Sequence, residues 1–193
     1  VTVSPSLTIG AENRARCAWV GSDPEYQRYH DEEWGTPLLG DQAVFEKISL
    51  EGFQAGLSWI TILRRRPAFR AAFAGFDIDK VAAMTADDVE RLVNDASIIR
   101  HRGKINAVIA NARVTVQLGE SLSDLVWSFR PAPGRPRPTQ LSDIPAVTPE
   151  SAALSAELRR RGYRFVGPTT MYALMQSAGL VDDHVAGCWC AGD

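Results

Sequence analysis

Apolar residues recur at three- and four-residue intervals over most of the chain, and no run of five or more residues alternates apolar with polar side chains as a half-buried strand would. The pattern predicts an all-α fold. Asp23 followed by Pro24 reads as an N-cap and a first-turn proline, opening a helix that runs to about Trp34. Asp41 is placed to cap a second helix, Gln42 to Ala55, which Gly56 stops. Residues 58–73 read as short helices broken at Pro67, because proline removes a backbone donor. Thr85 caps Ala86 to Asn94, and Ile105, Val108, Ile109 and Ala112 line one face of a helix from Gly103 to Leu118. Thr148-Pro149-Glu150 opens a further helix to Arg161, and a hairpin-sized gap separates it from Pro168 to Ala178. The proline-rich stretch 130–145 reads as a loop. Residues 1–13 read as a flexible leader ahead of one domain, 14–193, with no internal repeat.

Composition narrows the class. The chain has 193 residues, 45% of them hydrophobic and 23% charged, which is ordinary for a globular domain and excludes collagen-like or low-complexity architecture. No apolar run approaches the roughly 18 residues needed to span a bilayer. The first residues lack the basic and apolar regions of a secretory signal, and three cysteines cannot all pair within one chain. A soluble, cytoplasmic, monomeric protein is expected, with no membrane partner. A net charge of −2 gives no overall attraction to nucleic acid. The cations are nonetheless clustered, at Arg64 to Arg66, Arg100 to Lys104 and Arg159 to Arg164, with Arg130, Arg135 and Arg137 on the proline-rich loop. Arginines outnumber lysines 18 to 3, and the guanidinium fork suits phosphate. Each cluster reads equally as a solvated helix end.

Several chemistries are missing. There is no GxGxxG after a strand, no HExxH and no GxSxG. Residues 162–170, GYRFVGPTT, have the glycine spacing of a phosphate loop but carry Pro168 where the lysine should stand. The tail has Cys188-Trp189-Cys190 rather than the PCxxC of a zinc deaminase.

Two features remain. Cys17 and His30 lie near the start of the chain, and His184 and Cys188, four residues apart, near its end. Two thiolates and two imidazoles make a closed tetrahedral zinc shell, structural rather than catalytic; otherwise these are buried small side chains and surface histidines, and Cys190 competes with Cys188. Glu51 projects from the apolar stripe of Val44, Phe45 and Ile48. A carboxylate there is costly unless paired, so either an arginine satisfies it or it lines a pocket. Trp19, Tyr26, Tyr29, Trp34 and Trp59 crowd the first third of the chain. They read as core, or as a cage in which rings and a carboxylate receive a flat cation.

The blocks CAWV (17–20), DPEYQRYHDEEWG (23–35), LEGFQAGLSWITILRRR (50–66), IIRHRGKINAVIANAR (98–113), VWSF (126–129) and GLVDDHVAGCWC (179–190) resemble the 3-methyladenine DNA glycosylase I family. The resemblance covers residues 14–190. It implies a helix-hairpin-helix glycosylase fold with a zinc lobe joining the termini, and double-stranded DNA containing 3-methyladenine as partner. Carried over by position, it makes Cys17, His30, His184 and Cys188 ligands of a structural Zn2+, and Glu51 the catalytic carboxylate of the base pocket. Tyr29 and Trp59 become the stacking rings, with Tyr26 and Trp34 as further pocket residues. The hairpin falls at 161–170 and assigns Gly162, Gly167, Arg161, Arg164 and Thr169 to DNA. Asp182 and Asp183 are not expected to be catalytic. The three lysines, Lys47, Lys80 and Lys104, offer no evident Schiff base, which implies monofunctional hydrolysis in base excision repair. A non-catalytic, zinc-stabilised DNA-binding module is the alternative.

Overall fold

The computed structural model describes residues 5–10 and 12–191. Among them the chain is helical apart from one small sheet. Helices α1 (Pro24–Glu32), α2 (Asp41–Gln54) and α3 (Trp59–Ala72) are followed by α4 (Ile78–Ala82), α5 (Ala86–Asn94) and α6 (Arg102–Val116). After α7 (Leu122–Trp127) and the proline-rich segment come α8 (Pro149–Arg160) and α9 (Pro168–Ser177). No helix among the described residues is long and apolar enough to cross a membrane.

The predicted caps at Asp23, Thr85 and Thr148 form. Asp23 Oδ1 accepts from the N–H groups of Glu25 and Tyr26, and Thr85 and Thr148 close reciprocal capping boxes. Asp41 behaves differently. Gly40 is the N-cap of α2, and the Asp41 carboxylate instead accepts from Ser121 Oγ at 2.6 Å and Ser123 N–H at 2.9 Å, at the start of α7. Pro67 does not break the chain into short helices: α3 is continuous through it. Ile62 and Leu63 before it and Phe69 and Ala72 after it are buried, so packing of both halves outweighs the missing N–H.

The expected leader also needs correction. Residues 1–4 and 11 lie outside the described residues, but Leu7–Ile9 forms β1, which pairs antiparallel with β2 (Ala15–Cys17), Leu7 opposite Cys17. Three-residue strands are too short for alternation to register in the sequence. The tail joins this ribbon, because Trp189 N–H donates to Ala15 O at 2.8 Å. Asp31 binds all three parts. It takes a two-pronged contact from the buried Arg16 guanidinium of β2, and accepts from His30 Nδ1 and from Trp189 Nε1.

Helix α2 is the centre of the core. It packs against α3, α6, α7 and α9, and Val44, Phe45, Ile48, Leu50 and Phe53 are all buried. Because α2 has no solvent face after its first turn, Lys47, Ser49 and Glu51 are buried with it. Those polar residues are what the fold has to accommodate.

Candidate active site

A cavity of about 210 Å³ opens between α1, α2, α3 and α9. Tyr26 and Tyr29 reach it from α1, Glu51 and Gln54 from α2, Trp59 from α3, and Gln176 and Ser177 from α9. The structure thus brings together all five side chains assigned to the pocket by resemblance: Glu51, Tyr26, Tyr29, Trp34 and Trp59. The Tyr29 and Trp59 rings lie 5.5 Å apart at 44°, and Trp19 touches Tyr26 and Trp34 edge-on.

Glu51 is 3% exposed. It has no arginine partner: Oε1 accepts from Ser177 Oγ at 3.0 Å, and Oε2 has none. Burial pushes its carboxyl above the ordinary range, with Lys47 and Ser177 pulling the other way. Trp59 Nε1 is also buried without an acceptor. An unpaired donor and an unpaired acceptor thus sit on two side chains that line one small cavity, where buried polar groups are ordinarily paired.

Lys47 is the group the sequence left without a role. Its Nζ donates to Tyr29 Oη at 2.9 Å and lies 4.8 Å from the Tyr29 ring centroid and 4.5 Å from that of Trp59. The available signal was spacing: Lys47 is four residues before Glu51, hence on the same face of α2. No sequence signal marks Ser177 or Gln176, which only the packing of α9 on α2 brings to the cavity.

The four cysteine and histidine groups meet across the termini, with one change. The ligand atoms that fall within 4.8 Å of one another belong to His30, His184, Cys188 and Cys190, and Cys17 stands beside the Cys188 thiol. Cys190 joins the group because the tail turns back, Ala191 N–H donating to Cys188 O. Each imidazole has its Nδ1 on a carboxylate, His30 on Asp31 and His184 on Asp182, both at 2.8 Å. An ionised carboxylate only accepts, so each Nδ1 carries a proton, and in the neutral ring that a metal binds each Nε2 presents a lone pair. His30 Nε2 is 3.5 Å from Cys188 Sγ, and His184 Nε2 is buried without a partner. Hydrogen bonding from Cys17 outweighs burial and holds the Cys188 thiol down at about 4, whereas burial pushes Cys190 up to about 12. The donor chemistry therefore fits a soft divalent metal. Gly35 allows it: at φ +79, its absent Cβ would lie 2.7 Å from His184 Cε1. Trp34, edge-on to the His184 ring at 4.6 Å, links this cluster to the cavity wall.

The third assembly is the turn between α8 and α9. Gly162 takes φ +102, Ser155 Oγ donates to Val166 O, and the Asn111 side chain clamps the backbone of Arg164 from both sides. Gly167 is the N-cap of α9 and no side chain caps that end, so the N–H groups of Thr169 and Thr170 point outward without intrahelical acceptors.

The chain that builds these assemblies is similar over most of its length to known proteins. The sequence model of the methyladenine glycosylase family fits residues 19–191. The chain belongs to the methyladenine glycosylase family. It is 55% identical to DNA-3-methyladenine glycosylase 1 of Escherichia coli (strain K12) over 91% of this chain and 96% of that one. A crystal structure of 3-methyladenine DNA glycosylase I superposes with a TM-score of 0.88 at 51% identity, covering 92% of this chain and all, 100%, of that one. The Staphylococcus aureus 3-methyladenine DNA glycosylase I, whose structure addresses 3-methyladenine recognition, gives 0.86 at 36% identity over 92% and 97%.

In this methyladenine glycosylase family member the acidic pair near the end of the chain is engaged elsewhere. Asp183 is 1% exposed. Its Oδ2 accepts from Tyr172 Oη and Gln176 Nε2, and Oδ1 faces the Arg135 guanidinium at 3.0 Å, too oblique for a hydrogen bond. Burial opposes ionisation of Asp182, but the His184 donors outweigh it and hold the carboxyl at about 2. Much of the basic residue content is likewise spent. Arg64 and Arg66 pair with Asp23 and Glu33, Arg65 caps the carbonyls of Ala96 and Ser97, and Arg102 meets Glu90. Arg161 is held by Glu157 and Glu120.

Proposed function

We propose that this protein is a monofunctional DNA glycosylase that releases 3-methyladenine from alkylated double-stranded DNA. The observation that carries the reading is a Glu51 with an unpartnered Oε2 lining an aromatic cavity, in a chain of this family. Methylation at N3 makes the adenine of the nucleotide cationic. Extruding that nucleotide from the stack costs a few kcal/mol, and the faces of Tyr29 and Trp59 recover part of it by cation–π attraction, with Tyr26 and Trp34 closing the wall. Glu51 accepts from the exocyclic amine and favours the charged base over normal adenine.

As the bond from C1′ to the base breaks, its electron pair stays with the base, which leaves neutral and needs no general acid. The positive charge moves to the sugar, water adds at C1′, and its proton is lost to solvent. Lys47 Nζ lies behind the rings of Tyr29 and Trp59, away from an attacking position, which supports hydrolysis without strand cleavage. Incubating the purified protein with methylated duplex DNA and separating the products should yield free 3-methyladenine and an intact abasic strand. Binding without base release would establish the non-catalytic module instead.

The termini form a small lobe in which a structural Zn2+ is held by Cys17, His30, His184 and Cys188, Cys190 being the rival to Cys17. The metal's contribution is to fix the lobe, which supports α1 and its tyrosines. DNA is received at the α8–α9 turn, where Gly162 and Gly167 shape the backbone and the N–H of Thr169 meets a phosphate at the positive end of α9. Arg164 reaches the same strand, and Arg161 exchanges its exposed partner Glu120 for phosphate at little cost while keeping the partly buried Glu157. Arg164→Ala should therefore weaken binding to any duplex and lower the slope of log K against log salt by about 1. A salt titration by fluorescence anisotropy reads this directly; an unchanged slope places Arg164 off the DNA.

A further inference from the structure

A buried cation stands against the rings that wall the aromatic cavity. Lys47 is 8% exposed, and holding an ammonium there costs free energy that an apolar side chain of the same length would avoid. Burial lowers its pKa to about 8, against the pull of Glu51, Glu33 and Glu46. The surrounding charges show what the cost accompanies. Glu33, the C-cap of α1, is bound by Arg66 of α3, Oε1 to Nη2 at 2.8 Å, and Glu46 of α2 pairs with Arg70 of α3 at 2.8 Å. Once those pairs are closed, Lys47 and Glu51 are the remaining opposite charges in this part of the core. They stand one helical turn apart on α2 without a hydrogen bond between them: Lys47 Nζ is committed to Tyr29 Oη, and Glu51 to Ser177. The other titratable groups facing Glu51 are Tyr26 and Tyr29 of α1, neutral phenols whose titration burial pushes upward.

We propose that Lys47 is a positioning residue of this site: its ammonium fixes the Tyr29 ring through the phenol oxygen and supplies the countercharge that keeps Glu51 a carboxylate inside the cavity. The inference rests on the glycosylase reading above. A carboxylate buried among rings takes up a proton unless a positive charge offsets the desolvation, and a protonated Glu51 presents one acceptor fewer and no charge to a cationic base. Hydrogen bonding to Tyr29 keeps Lys47 from collapsing into an ion pair with Glu51, which would occupy the oxygen the ligand needs. The lysine thus acts on Glu51 through the field while leaving its Oε2 open.

The test is the pH profile of single-turnover 3-methyladenine excision by the wild type, Lys47→Met and Lys47→Arg, each checked by circular dichroism and thermal melting. Loss of the charge should move the acid limb of the Lys47→Met profile to higher pH by about one unit or more, the size expected when an opposite charge nearby is removed. Arginine should keep the limb near its wild-type position even if the rate falls. A folded Lys47→Met protein whose acid limb coincides with that of the wild type would overturn the proposal, as would an arginine variant that shifts as methionine does. If Lys47→Met does not fold, titrating the Glu51 carboxyl carbon by NMR in the wild type and Lys47→Arg decides. Ionisation throughout the active pH range supports the proposal, and a neutral carboxyl in that range defeats it. Absence of excision by the wild type at every pH would instead defeat the glycosylase reading, and the NMR titration would still judge Lys47.

Discussion

Glu51→Gln is expected to slow single-turnover release of 3-methyladenine by about 100-fold or more, the cost of removing one preorganised electrostatic contact to the reacting group, while leaving the protein at least as stable as the wild type. The two side chains have the same shape. Glutamine still offers a carbonyl oxygen to Ser177, which now donates to Oε1 at 3.0 Å. It loses the negative charge, and it places an NH₂ at the position of the unpartnered Oε2 on a side chain that lines the cavity. That NH₂ faces the exocyclic amine of the base, donor against donor. The stability sign follows from burial, which raises the Glu51 carboxyl above its ordinary range. For an acid whose folded-state value is raised, stability is greatest below the unfolded value and is lost as pH climbs towards the folded one. The wild type therefore loses stability over that interval and the variant does not. Melting curves across pH, beside excision rates, separate the outcomes. Lower stability with lost activity would make Glu51 a structural residue.

Much of this site could be read from the chain before any coordinates. Glu51 stood out because a carboxylate on the apolar stripe of α2 demands an explanation, and the tyrosines of α1 because they share a face one turn apart. The helices with strong boundaries, capped at Asp23, Thr85 and Thr148, also fell where local chemistry placed them. What the sequence concealed was tertiary. Asp41 looked like a cap of its own helix, but its carboxylate serves α7, 80 residues on in the Ser121 contact. Pro67 looked like a break because propensity is local, whereas the packing that carries α3 through it is not. Lys47 escaped notice because a single lysine in a helix is normally solvated. Its burial depends on α1 and α3 closing over α2, which no periodicity encodes. Cys190 likewise joins the cysteine and histidine group only through the turn of the tail.

Removing the metal is expected to have the largest effect on stability. The tail is joined to the short N-terminal ribbon and α1 by the hydrogen bonds of Trp189 to Ala15 O and Asp31, and a two-stranded ribbon of three-residue strands is marginal by itself. The donors are arranged for an ion: Nδ1 of each histidine is satisfied by a carboxylate, and His184 Nε2 is buried with nothing to bind. Structural zinc contributes about 10–16 kcal/mol of apparent binding free energy in small peptides, much of it folding energy. A chain of this length shifts by about 2–4 °C per kcal/mol, so recovering only a third of that here should lower Tm by about 7–20 °C on chelation. Metal analysis of the purified protein should find one zinc per chain. Cys188→Ser should lose it, and comparing Cys17→Ser with Cys190→Ser identifies the fourth ligand, because only the true ligand's removal lowers both zinc content and Tm. Base release should then fall with the lobe, since Trp34 bridges His184 and the cavity. A metal-free protein with unchanged Tm and full activity would show instead that hydrogen bonding through Asp31 and Asp182 holds the termini together.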